Sequence, residues 1–239
     1  SNIVLDELDR ELEQRGHRFV RYADDCNVYV RSERSGQRVM ASVVRFIESR
    51  LRLKVNSAKS AVARPEERHF VGFRLRREPA DGRVEVLLSK RSKTRIDETI
   101  RRLTPRTWGR SFNGCIRGLN VYLVGWIGFF WICTEAAGQM FAKLDSHVRR
   151  RLRALQLKQW KRKRTMVRRL IHLGVNKDTA RKIYDGHRSW WALSHCTPVD
   201  RGLNKAHFAK LGLVSLVERW KKLHARNVLA PAQHVLPPG

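Results

Sequence analysis

The chain has 239 residues, 42% of them apolar, with a formal net charge of +28. The apolar share excludes a disordered chain, and the length holds one domain or two small ones with ample core. Charge so one-sided exceeds what solubility requires and points to a polyanionic partner. It is also unevenly spread. Residues 1–75 carry 15 Lys+Arg against 11 Asp+Glu, a net +4, whereas residues 76–239 carry 35 against 11, a net +24.

Residues 3–15 place Leu5, Leu8 and Leu12 on one face and predict an amphipathic helix that stops at Gly16. Phe19 to Ala23 and Asn27 to Val30 read as strands that meet at Asp24-Asp25. Residues 36–52 return to helical spacing, with Val39, Val43, Ile47 and Leu51 in one stripe. "LRLKVNSAKSAV" reads as extended with a turn. "RHFVGFRLRR" and "GRVEVLLS" read as strands, joined through Asp81-Gly82. Beyond residue 89 the pattern is helical. One helix carries Ile96, Ile100 and Leu103 and ends at Thr104-Pro105. An apolar helix is expected around 115–137 and a long basic one over about 139–160. Two short helices follow, each closed by a glycine. The Pro-rich end, from about 224, is expected to fray. The expected organisation is an α+β part over 1–88, an all-α part over 89–223 and a flexible tail over 224–239.

The uncharged stretch Gly118 to Cys133 is too short for a comfortable membrane span and reads as a buried helix. Cys26, Cys115, Cys133 and Cys196 make no CxxC pair, and the nine histidines supply no HExxH. Zinc and disulfide frameworks are therefore not expected, and a reducing cytoplasm fits. No signal-peptide pattern is recognisable.

Asp24 and Asp25 are the most informative pair. Aspartate is common in turns because its side chain bonds nearby backbone N–H groups. Here, however, apolar strands flank the pair, and a hairpin tip confines both carboxylates to a small volume. Adjacent carboxylates are favourable when a hard divalent cation lies between them, and Mg²⁺ typically takes one or two carboxylates plus substrate phosphates. Two such ions can stabilise the attacking and leaving oxygens of phosphoryl transfer.

"YADD" (Tyr22 to Asp25) between two strands resembles the signature of reverse transcriptases, and the order around it resembles group II intron-encoded reverse transcriptases, the maturases. "SNIVLDELDRELEQRG" resembles the end of the helix after their Gly-rich motif. "LRLKVNSAKS" resembles the next palm motif, and "FVGFRL" the primer-grip strand turn. "LNVYLVGWIGFF" and "LDSHVRRRLRALQLKQWKRKR" resemble the thumb, or domain X.

The resemblance implies a partial α+β palm followed by an all-α thumb. It implies two activities: binding intron RNA to promote splicing, and RNA-directed DNA synthesis from dNTPs on an RNA template with a DNA primer, using Mg²⁺. Asp24 and Asp25 would hold the metals, with Tyr22 and Ala23 beside the incoming nucleotide. Lys59 would act as a general acid toward pyrophosphate or as a phosphate contact. Asn56 would order its turn, and Gly72 and Phe73 would approach the primer end. The fingers, the Gly-rich motif and the strand bearing a further catalytic aspartate are not recognisable in residues 1–239. The chain alone is therefore expected to be inactive and to need that segment as a partner. Nor is there a Cys-rich segment of the kind the family's zinc-bearing endonuclease domain carries. The implied setting is a bacterial cytoplasm, with association to the nucleoid when on DNA.

Residues 149–164, "RRRLRALQLKQWKRKR", hold nine Lys/Arg in sixteen. Arg149, Arg150, Arg151, Arg153, Lys158, Lys161, Arg162, Lys163 and Arg164 are the expected RNA contacts, while Leu152 and Leu155 supply a stripe to pack. Trp160, Trp190, Trp191 and "GLVSLVERW" read as core. The rival reading is an RNA-binding splicing factor with an inactive or incomplete polymerase site, which would not require Asp24 or Asp25. A generic basic RNA binder leaves the ordered palm motifs unexplained.

Overall fold

The computed structural model describes residues 2–105, 109, 111–185 and 189–228. It divides into two compact units, residues 1–89 and 90–239. The class is α+β: the strands form two separate two-stranded antiparallel sheets in the first unit, and the described elements of the second are helical.

In the first unit, α1 (Asn2–Gln14) is followed by the hairpin of β1 (Arg18–Tyr22) and β2 (Asp25–Tyr29), then by α2 (Glu33–Ser49). Gly16, at φ +69, ends α1 by donating to the Glu13 carbonyl. Leu8 and Leu12 are buried with Leu51, and Leu5, Phe19, Val28, Val43, Phe46 and Ile47 close over them. Each fully buried leucine contributes about 1.5–3 kcal/mol. Helix α2 starts three residues before the stripe suggests, because the Ser32 hydroxyl caps it, accepting from Ser35 N–H at 3.2 Å. Leu51 lies past its end yet remains in the core. Gly36 faces the segment after α2: a Cβ there would lie 2.5 Å from the Val62 side chain.

The second hairpin pairs β3 (Phe73–Arg77) with β4 (Val84–Leu88), in the register Phe73↔Leu88. The strand expected from residue 68 is shorter than its sequence suggests. Val71 and Gly72 have φ +49 and +85, and Phe70 and Phe73 exchange backbone hydrogen bonds of 2.9 and 2.8 Å around them. Positive φ at both central residues is the mark of a primed two-residue turn.

The second unit runs α3 (Lys90–Leu103), α4 (Phe112–Phe130), α5 (Gly138–Trp160), α6 (Lys163–His172), α7 (Lys177–Arg181), α8 (Trp190–Leu193), α9 (Thr197–Gly202), α10 (Lys205–Lys210) and α11 (Leu216–Val228). Helix α4 buries Cys115, Ile116, Leu119, Leu123 and Ile127 along one stripe. Among the described residues no helix is long and apolar enough to cross a membrane. The four cysteines are free thiols.

Two polar side chains, half-buried Asn120 and buried Asp145, tie distant parts of the chain together here. Asn120 donates to the Gly212 carbonyl at 2.7 Å and accepts from Val214 N–H at 2.9 Å. The Asp145 carboxylate accepts from Ser215 Oγ at 2.6 Å and Leu216 N–H at 2.9 Å, so α5 caps α11.

Two sequence expectations are corrected, those for the ends of the apolar helix and of the last helix. The apolar helix stops at Phe130 rather than near 137. The Cys133 carbonyl, freed by that break, is satisfied inside the core by the Trp220 indole N–H at 3.0 Å. The long basic helix ends at Trp160, as expected, so the basic run 149–164 spans two helices. Lys161 takes φ +60 and closes α5 through the Leu157 and Lys158 carbonyls, and α6 starts at Lys163. Finally, α11 continues to Val228, past the expected start of fraying at 224. Gly174, at φ +88, ends α6, whereas the Gly186 stop expected after the next helix lies outside the described residues.

Candidate functional site

The acidic tip is built by the β1–β2 register. Phe19 pairs with Val28 and Arg21 with Cys26, and alternation puts these pairs on the α1 side. Tyr22 pairs with Asp25 and Val20 with Asn27, which gives them the other face. That face is open: Tyr22 is 61% and Val20 47% exposed. The turn proper is Ala23-Asp24, and Asp25 is the first residue of β2. Ala23 has φ +54, the left-handed region that an L-residue enters at a cost of about 1–2 kcal/mol.

What holds the strained turn is a residue pair that the sequence reading overlooked. Arg21 binds Asp9 of α1 through Nε, at 2.7 and 3.0 Å to the two carboxylate oxygens, and through Nη2 at 2.5 Å. Its Nη1 donates to the Ala23 carbonyl at 2.8 Å. The turn is thereby tied to α1. The available signal was the placement of Asp9 on the edge of the α1 stripe, one residue from Leu8. The Cys26 thiol, across from Arg21, is pushed up to about 11 by burial and by the Asp9 charge, so it stays neutral.

Asp24 and Asp25 are exposed, and among the described residues no Lys, Arg or His side chain pairs with either carboxylate. In a chain of net charge +28 this is informative, because cations are abundant and none is spent here. Two hard oxygen donors left free side by side fit a divalent cation such as Mg²⁺. Among the described residues no three His, Cys, Asp or Glu side chains cluster, so two carboxylates are what this tip offers.

The other expected palm residues lie on two further turns. Asn56 orders its own turn: its Oδ1 accepts from Lys59 N–H at 3.2 Å, and its carbonyl from Ser60 N–H at 3.0 Å. Arg68 donates to the Lys59 carbonyl at 2.6 Å, while the Lys59 side chain is exposed and makes no ion pair with Asp24 or Asp25. The Gly72 carbonyl accepts from Ser89 N–H at 2.9 Å, and Phe73 opens β3 half-buried.

The helical cations fall into two groups. Lys161, Arg162 and Arg164 are exposed around the α5–α6 break, and Lys158 is half-buried. Lys163 reaches the Tyr184 carbonyl at 3.4 Å. Arg149 donates to Ser146 Oγ at 2.9 Å. The others make contacts within the helical unit. Arg153 is buried, donates to the Leu203 carbonyl at 2.8 Å and pairs with Asp200 at 2.6 Å. Arg151 binds Thr104 through its hydroxyl at 2.9 Å and its carbonyl at 2.8 Å. Arg150 stacks on Trp191, 4.1 Å from the ring centroid. A run of cations on a helix that is nearly surrounded must send some of them inward.

Comparison with known families gives two matches. Residues 1–75 match the reverse transcriptase (RNA-dependent DNA polymerase) family, and residues 93–172 match the group II intron, maturase-specific domain. The chain belongs to the group II intron-encoded reverse transcriptase/maturase family. Intron splicing and RNA-directed DNA synthesis are the functions that this membership carries. A search of curated proteins gave no significant match. The reverse transcriptase match ends at Leu75, two residues into β3, and takes in the acidic tip and the Asn56 and Gly72 turns. The maturase match takes in α3 to α6 and so both groups of cations.

Proposed function

We propose that this reverse transcriptase/maturase chain divides its work between its two units. In the first, Asp24 and Asp25 hold Mg²⁺ for nucleotidyl transfer, with Tyr22 and Ala23 lining the nucleotide side. Lys59 and Asn56 are assigned to the departing phosphates, and Gly72 and Phe73 to the primer end. Bound metal would stabilise the attacking and leaving oxygens. In the second unit, Lys161, Arg162, Arg164 and the half-buried Arg149 and Lys158 bind intron RNA through its phosphates. The observation that carries the metal assignment is the pair of free carboxylates at a turn that Arg21 and Asp9 hold in place.

A polymerase site needs one more carboxylate. The nearby Asp9 is committed to Arg21, so residues 1–239 alone should not extend a primer. Robust extension by the purified chain would refute the shared-site reading. The decisive experiment uses Asp24→Asn with Asp25→Asn in a protein that also carries the fingers and remaining palm. Primer extension and intron splicing are measured on one preparation. DNA synthesis should fall by several orders of magnitude while splicing persists. Loss of neither would remove the aspartates from metal binding and favour a protein that acts on RNA by binding alone.

A further inference from the structure

Helices α6 and α7 face each other across an open groove lined by charge. On α6, Arg164, Arg168 and Ile171 follow the i, i+4, i+7 spacing of one helix face. On α7 and the 3-10 turn that continues it to Tyr184, Lys177, Arg181 and Tyr184 repeat that spacing. Each wall thus presents two cations and one apolar or aromatic side chain. The chain doubles back between them, since Lys163 at the start of α6 donates to the Tyr184 carbonyl at the end of the second wall. Arg164, Arg168, Lys177 and Arg181 are all exposed, and none lies within 4 Å of a carboxylate among the described residues. Tyr184 is 48% and Ile171 40% exposed, and Val167 forms the floor.

We propose that this groove binds an unpaired stretch of RNA, with phosphates against the four cations and a base stacked on the Tyr184 ring. The inference rests on the RNA-binding reading above and adds a distinct subsite and a strand state to it. Four unpaired cations in one groove call for a polyanion. The exposed ring between them decides which kind. An A-form duplex presents phosphates but keeps its base faces stacked, whereas a single strand offers a π-face to any aromatic platform. Ile171 and Val167 give that base an apolar wall. The maturase-specific match ends at residue 172, so the α7 wall lies beyond it.

The test measures binding of the full chain to a fluorescent 12-nucleotide oligouridine and to a duplex RNA of equal length, over a series of salt concentrations. Tyr184→Ala should weaken single-strand binding about 5- to 150-fold, as loss of one stack does, leave its salt slope unchanged and spare the duplex. Arg168→Gln with Arg181→Gln should flatten the single-strand slope by about 1.4. All three side chains are exposed, so matched melting temperatures identify folded variants. As an independent readout, 5-iodouridine in the oligomer should photocrosslink to Tyr184 in the unsubstituted chain. Equal effects on single strand and duplex, or crosslinks that map elsewhere, would overturn the groove while leaving RNA binding standing. Failure of the unsubstituted chain to bind either RNA would overturn the RNA-binding reading itself.

Discussion

Arg21 grips Asp9 with two nitrogens and uses a third to hold the carbonyl of Ala23, so one guanidinium links helix α1 to the strained acidic turn. The contact pulls Arg21 above its usual value, chiefly through the hydrogen bond to Asp9. Asp9→Asn should therefore leave the helix intact and loosen the tip. The expected readout is faster amide hydrogen exchange at residues 22–26 with little change at Leu8 and Leu12. Unchanged exchange at the tip would show that the turn holds itself.

Ala23→Gly tests the strain directly. Glycine occupies φ near +54 without a Cβ penalty but brings extra freedom to the unfolded chain. The net effect should be a gain of about 0.5–1 kcal/mol in thermal or denaturant unfolding. A loss would mean that the Ala23 methyl group makes a contact worth more than the strain.

Arg153 and the Lys161/Arg162 pair should behave in opposite ways. Arg153→Ala removes a buried donor to the Leu203 carbonyl and should cost about 2 kcal/mol of stability, with the salt slope of RNA binding unchanged. Lys161→Ala with Arg162→Ala should leave stability nearly unchanged and flatten that slope by about 1.4–1.8. A flatter slope for the Arg153 variant alone would put the RNA face on the wrong side of α5.

His147 should make the helical unit acid-sensitive. Burial lowers its ionisation, against the raising effect of Asp97, while Arg151, Arg101 and Arg150 push the same way as burial. Trp191 packs against its ring, with centroids 6.2 Å apart. A folded value below the unfolded one means that the unfolded chain takes up the proton first. Stability is then intact above the ordinary histidine value and falls as pH drops below it. His207 is lowered too, by burial and by Lys210, so the comparison is made in a His207→Gln background. There, His147→Gln should flatten the decline in stability between pH 7 and pH 5; an unchanged decline would assign it to other groups.

The sequence made the amphipathic α1, the α2 stripe and the acidic hairpin legible, because each follows from spacing within a few residues. It also placed the end of the long basic helix near residue 160, where α5 stops, but not the means: Lys161 takes a positive φ with neither glycine nor proline to announce it. The inward course of Arg151 and Arg153 was hidden for a related reason: composition counts cations but cannot say which side of α5 is covered. The α6–α7 groove was half-visible. Both i, i+4, i+7 series stand in the sequence, yet nothing local says that the chain turns back and sets one against the other.

Asp145 waits on the ribosome. Its acceptors are filled by Ser215 and Leu216, 70 and 71 residues later in the chain, and Asn120 depends on Gly212 and Val214 at separations of 92 and 94. At roughly 5–20 residues per second, the 70 residues after Asp145 take about 4–14 s to synthesise. Throughout that interval helices α4 and α5 exist without the strap that satisfies Asn120 and Asp145. The unit that carries most of the positive charge thus reaches its native packing only after residue 216 has been made, and a nascent chain stalled before residue 212 would carry the cations without the fold that arranges them.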